Sequence, residues 1–197
     1  MLTTNNELRA AARLSLTNKW GISAVVALVY ILITAATTSL PIVGTLGGIF
    51  LILPLGYGVM VVFLKSFRGE EVEIGRLFDG FNDYWRIFGT MILVYLYTFL
   101  WSLLLIIPGI IKSYSYGLTS YILLDEPELK YDAAIQKSMA MMRGNKMKLF
   151  LLDLSFIGWG LLCILTLGIG FLWLSPYIYS ARAAFYQDLK KEAIAAC

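Results

Sequence analysis

Asp153 has the strongest chemical potential in this chain. It lies about seven residues inside an apolar stretch that opens near Lys146. A carboxylate at that depth is costly, and it is normally paired or used. Arg182 is its natural partner. Asp153 stands 15 residues before Gly168, about 22 Å of helix, and Arg182 stands 12 residues after Gly170, about 18 Å. An antiparallel hairpin turning at 167–170 brings the two within about one turn. Two roles stay open. The pair could lock the hairpin, or Asp153 could cap the interfacial lysines, as structure. Alternatively, Asp153 could be a proton or ion site.

Three tyrosines form a second constellation. Tyr57, Tyr116 and Tyr177 are 59 and 61 residues apart, each beside Gly, Ser or Pro. Tyrosine in a membrane protein usually sits at the two interfaces. These three fall near the middle of apolar arms. They predict a polar pocket lined by three phenols, with Ser115, Thr119, Ser120 and Ser175 near it. The plainer alternative is hydroxyl–backbone bonding that glues neighbouring spans. Lys112, four residues beyond Pro108, is expected to snorkel its ammonium to the headgroups. A substrate-binding lysine is the functional alternative.

Other chemistry is poorly supplied. The chain has no His and only two Cys, Cys163 and Cys197. His-based catalysis, most zinc sites and a disulfide framework are therefore excluded. Asp153 and Ser155 are two residues apart and do not share a helix face, so they make a poor base and nucleophile. Gly168-Ile169-Gly170 does not extend to a dinucleotide fingerprint, and there is no phosphate-binding Walker loop. No catalytic residue, metal or cofactor is expected, nor is a nucleic-acid partner. Cys163 reads as core filler.

These residues need apolar elements to hold them. Of 197 residues, 59% are hydrophobic and 15% charged, and mean hydropathy is +0.74. A soluble domain has roughly 45–50% apolar and about 25% charged residues. The excess predicts an all-α, polytopic transmembrane bundle. Runs without Asp, Glu, Lys or Arg cover 20–64, 87–111, 113–124 and 154–181. A crossing takes about 20 apolar residues, so the first run holds two. Its middle, Leu40 to Gly48, predicts a tight turn, which leaves Gly44 and Gly48 a weak packing motif. The first apolar segment is expected to be retained. It is longer than the core of a signal peptide, although Ala35 to Ser39 imitates a cleavage site.

Two topologies compete. In one, 87–111 and 154–181 each cross once, giving four spans. In the other, both fold back at Ile107-Pro108-Gly109 and Leu167 to Gly170, giving six spans as three consecutive hairpins. Basic residues number three in 1–19, four in 65–86, six in 112–148 and three in 182–197. Six spans put all of them but Lys112 on one side, 15 of 16, whereas four spans divide them 10 to 6. Lys and Arg mark cytoplasmic loops, so six spans with both termini inside are expected. The arm 109–124 is short, about 24 Å against roughly 30 Å of hydrocarbon.

The six-span layout exposes an internal repeat over about 1–64, 65–125 and 126–197, within a single transmembrane domain. Asn18, Asn82 and Asn145 precede the hairpins at spacings of 64 and 63. Amphipathic helices are predicted before each hairpin. Thr4 and Glu7 form a capping box for 5–17. Ile74, Leu77, Phe78, Phe81, Tyr84, Trp85 and Phe88 share a face of 74–88. Tyr131, Ile135, Met139 and Met142 share one in 131–143, before a stop at Gly144. Such helices lie in the membrane interface or dock a cytoplasmic partner.

The runs 103–116, 144–150 and 154–177 carry a resemblance. They are similar to a bacterial family of integral membrane proteins labelled domain of unknown function 975, except that Met147 stands where that pattern has Trp. The resemblance implies a bacterial inner-membrane protein and supplies no catalytic residues. The expected protein is a membrane-embedded binding, scaffold or regulatory module. Its surroundings are the lipid bilayer, with a membrane-protein partner or second copy as its company. A small-solute transporter or channel subunit with a Tyr/Ser-lined path is the alternative.

Overall fold

The computed structural model describes residues 3–39 and 43–195, and all regular elements among them are helical. In chain order they are α1 (Asn5–Ser15), α2 (Trp20–Thr38), α3 (Val43–Phe67), a 3-10 helix (Ile74–Phe81), α4 (Tyr84–Leu104), α5 (Ile106–Tyr116), α6 (Thr119–Asp125), α7 (Asp132–Met141), α8 (Lys146–Leu154), α9 (Ile157–Leu165) and α10 (Phe171–Ala195). Among the described residues four stretches are long and apolar enough to cross a membrane: Trp20–Thr38, Gly47–Phe67, Tyr84–Leu104 and Lys146–Leu165. They point to a membrane protein. The remaining arms differ in kind. The fourth breaks at Gly117–Leu118 into α5 and α6, each too short to cross alone. α10 carries Arg182 near its middle and Asp188, Lys190, Lys191 and Glu192 in its second half.

The surface agrees with a lipid environment. The α4–α5 connection exposes Leu103 to Ile107 in an unbroken row, each at least 67% accessible. Leu165, Leu167 and Ile169 are also exposed around the α9–α10 turn. A soluble monomer does not leave apolar patches of this extent in water.

α3 is the central helix. Val59, Val61, Val62, Phe63 and Leu64 are buried, so this half is packed on most of its faces. A helix apolar all round is one packed all round. α2 lies along one side, with Gly48 against Thr37 and Gly56 facing the Tyr30 hydroxyl. α10 covers another, where Phe63 stacks on Tyr179 at 5.7 Å. The 3-10 helix presses on a third. A Cβ on Gly58 would stand 1.9 Å from the Leu77 carbonyl oxygen, and one on Gly80 would stand 2.3 Å from that of Pro54. Only glycine allows the two backbones to approach this closely.

Several sequence expectations are met locally. α1 starts with the Thr4–Glu7 capping box, and Gly144 takes φ +84° after α7. Others need correction. Residues 40–42 of the expected turn, and Cys197, lie outside the described residues, but α3 already begins at Val43, so Gly44 to Gly48 are helical. The stretch 74–88 is not one surface α-helix. It is a 3-10 helix with Leu77 buried, then the start of α4. Tight packing on Gly58 and a run of aromatic rings override the 3.6-residue period there. Tyr131 leaves the predicted α7 stripe, whose buried members include Ala134, Ile135, Ser138 and Met142. Finally, Asn18 adopts φ +64° whereas Asn82 and Asn145 are right-handed, so the three asparagines do not share one backbone role.

Candidate functional site

Tyr57 and Tyr116 meet at one cavity, and Tyr177 does not. The cavity holds about 270 Å³ between α2, α3, α4, the α5–α6 break and α10. Five phenols line it: Tyr30, Tyr57, Tyr95, Tyr116 and Tyr179. Thr98, Ser113, Thr119 and Ser120 add hydroxyls, and no charged side chain lines it. Tyr57 comes from the buried half of α3. Tyr116 ends α5, with its ring tilted against Tyr97 at 6.4 Å.

Most of the Ser and Thr hydroxyls are satisfied locally. Thr98 donates to the Val94 carbonyl at 2.8 Å and Thr119 to the Tyr116 carbonyl at 2.8 Å. Ser120 donates to Met91 Sδ at 3.5 Å. The phenols of Tyr30, Tyr57, Tyr95 and Tyr179 have no hydrogen-bond partner among the described residues. The cavity thus offers several free donors and acceptors in an apolar frame. Such a site fits an uncharged molecule bearing a ring and a hydroxyl or amide-like group.

Ser115 and Ser175 stand outside this cavity. Tyr177 sits on the other side of α10, edge-on to Phe156 at 5.0 Å and to Trp20 at 6.3 Å. One helix face cannot serve both. Tyr177 and Tyr179 are two residues apart, and Tyr179 is the one that turns to the cavity.

Asp153 and Arg182 form a bidentate pair. Arg182 donates Nε to Asp153 Oδ1 at 3.0 Å and Nη2 to Oδ2 at 2.7 Å. Asp153 stands at the end of α8, where Ser155 and Phe156 turn the chain into α9. Neither residue lines the tyrosine cavity. Lys112 lies 4.7 Å over the Trp101 ring, joining α5 to α4 by a cation–π contact. Among the described residues no group of three Cys, Asp or Glu is placed to hold a metal ion.

Residues 1–119 and 103–193 both match the profile of a family described as Protein of unknown function (DUF975). The chain belongs to this family. The DUF975 description carries no activity. No curated protein and no solved structure matches the chain.

The DUF975 chain also has polar centres that its sequence gave little reason to single out. Asp125 accepts from Lys190 at 2.5 Å, Arg68 at 2.7 Å and the Tyr186 hydroxyl at 2.8 Å. It ties the ends of α3 and α6 to α10. Its carboxylate is only 5% exposed. Burial works against its charge, yet these three donors outweigh that and hold it below the usual carboxylate range. Asp188 does similar work at the N-terminus. It accepts from Thr3 through both backbone and hydroxyl, and from Lys148 at 3.3 Å. Arg86 donates to the Leu123 and Leu129 carbonyls at 3.2 and 3.0 Å, which fixes the loop after α6. Ser138 bridges the α5–α6 break, accepting from the Leu118 amide and donating to the Ser115 carbonyl. One usable signal existed for these last contacts. A chain break inside an apolar arm leaves backbone groups that something must satisfy.

Proposed function

We propose that this DUF975 protein is a membrane-embedded binding module whose tyrosine cavity takes a small uncharged molecule. The observation that carries the proposal is the set of four unpartnered phenols, Tyr30, Tyr57, Tyr95 and Tyr179, around an uncharged space of about 270 Å³. The protein would sit in a bacterial inner membrane with six crossings and both termini cytoplasmic. The charge count supports this: 15 of 16 basic residues then share one side. The element order supports the threefold repeat, because α1, the 3-10 helix and α7 each precede an apolar helical pair. The bidentate Asp153–Arg182 pair fits a lock between α8 and α10 better than a proton site, since both carboxylate oxygens are occupied.

Gly56 provides the test. It lines the cavity, and an added Cβ would meet only the Tyr30 hydroxyl, at 3.8 Å. Gly56→Leu therefore fills the space without removing a phenol. Indole and p-cresol are expected to raise the thermal midpoint of the wild-type protein in detergent, and benzoate is not. Saturation at about 100 times Kd stabilises by roughly 2.7 kcal/mol. Gly56→Leu should abolish the response. Equal shifts in both proteins contradict the reading. A transport path is the second reading, favoured by the same hydroxyl lining. Flux of these molecules into liposomes, lost on Gly56→Leu, would select it.

A further inference from the structure

A second cavity, of about 350 Å³, lies between α1, the start of α2 and the α9–α10 hairpin. Its lining has two chemistries. Arg9 and Arg13 stand one turn apart on α1, and Trp20, Trp159 and Trp173 form indole walls, with Cys163 and Leu174 completing an apolar floor. No carboxylate lines it.

Neither Arg9 nor Arg13 has an ion pair among the described residues. Arg9 Nε is buried without a hydrogen-bond partner, and its guanidinium carbon lies 5.6 Å from the Phe156 ring centroid. Tyr177, 9% exposed, also lines the cavity, and its buried hydroxyl has no partner. Buried polar groups of this kind are normally satisfied, and here two of them face the same cavity. Three basic residues on the neighbouring helices α8 and α10 behave differently. Lys148, Arg182 and Lys190 are all paired to aspartates.

We propose that this cavity binds an anionic phospholipid. The phosphate would sit on Arg9 and Arg13, whose planar forks suit two phosphate oxygens. The glycerol and upper acyl chain would lie against the indoles, whose broad rings pack on apolar chain while their N–H can meet a polar group. A free phosphate leaves the apolar floor and three indoles without purpose. An uncharged lipid leaves both arginines unpaired. This site is separate from the tyrosine cavity and does not depend on the reading given to it.

The test is lipid retention by the full chain, purified in detergent and offered phosphatidylglycerol and phosphatidylcholine in equal amounts, with bound lipid counted by native mass spectrometry. The wild-type protein should prefer phosphatidylglycerol. Arg9→Gln and Arg13→Gln should each lower that preference about fivefold. Arg13 is exposed, so Arg13→Gln leaves the fold intact and reads the site even if Arg9→Gln is poorly folded. Arg143, also exposed, lies outside the cavity, and Arg143→Gln should change nothing. Equal retention of both lipids, loss of preference in Arg143→Gln, or no loss in Arg13→Gln would each overturn the proposal. Displacement of the lipid by excess inorganic phosphate would overturn it too, in favour of a free-anion site.

Discussion

Tyr84 donates its hydroxyl to the Phe50 carbonyl at 3.2 Å, and that carbonyl is the one Pro54 leaves without a helical donor. Proline has no N–H, so the carbonyl four residues earlier loses its bond. In an apolar environment that loss must be made good by a neighbour. Tyr84 does so from the first position of α4, while its ring stacks on Phe88 at 5.4 Å. Tyr84→Phe keeps the ring and removes the donor. It should destabilise by about 0.5–1.5 kcal/mol. In a Pro54→Ala background the same change should cost less, because the helix then supplies its own N–H. A double-mutant cycle on thermal stability measures the difference.

Gly58→Ala should be among the most damaging small substitutions. Its Cβ would stand 1.9 Å from a backbone oxygen of the 3-10 helix, which cannot swing aside as a side chain does. Overpacking of this type costs about 1–3 kcal/mol. Gly47→Ala on the same helix meets nothing within 4 Å and should be neutral or mildly stabilising. Thermal midpoints of the two variants, compared side by side, check this.

Asp153 and Arg182 should behave as a coupled pair. Their side chains are 17% and 36% exposed, between the surface and buried limits. Asp153→Asn alone should cost about 1–3 kcal/mol, because it removes one partner from a partly buried charge. Adding Arg182→Met should recover part of the loss. Two independent, additive losses would show that the pair is not a lock.

Acid should loosen the α3–α6–α10 junction. The folded pKa of Asp125 lies below its unfolded value of about 3.9. Its contribution is therefore complete above that value and is lost as pH falls through the folded pKa. Asp188 is depressed too, where Thr3 and Lys148 outweigh burial. The wild-type protein should lose stability below about pH 4, and Asp125→Asn should flatten but not erase the slope. Unfolding midpoints measured from pH 6 to pH 3 test it.

The sequence reveals most about the apolar elements and least about what joins them. Charge-free runs locate α2, α3, α4 and α9, because lipid demands long apolar stretches. Counting along helices puts Asp153 level with Arg182, and the structure pairs them. The tyrosine pattern finds Tyr57 and Tyr116 at one cavity but mistakes Tyr177 for Tyr179. Spacing alone does not tell which of two neighbouring tyrosines faces inward. Asp125 was hidden for a different reason. Its donors, Arg68, Tyr186 and Lys190, lie 57, 61 and 65 residues away, and such distances carry no local signal. The 3-10 helix was missed because its pitch is dictated by Gly58 and Gly80, on contact with α3, rather than by its own amphipathic pattern.

Occupancy of the tyrosine cavity is the central claim, and site-directed labelling tests it most directly. With Cys163 and Cys197 replaced by Ser, Gly56→Cys places a thiol on the cavity wall, and Leu14→Cys places one on the exposed face of α1. The labelling rate with N-ethylmaleimide is then measured with and without indole. Slowing at position 56, with no change at position 14, is the predicted result. Unchanged labelling at position 56 at indole concentrations that stabilise the protein would contradict the account.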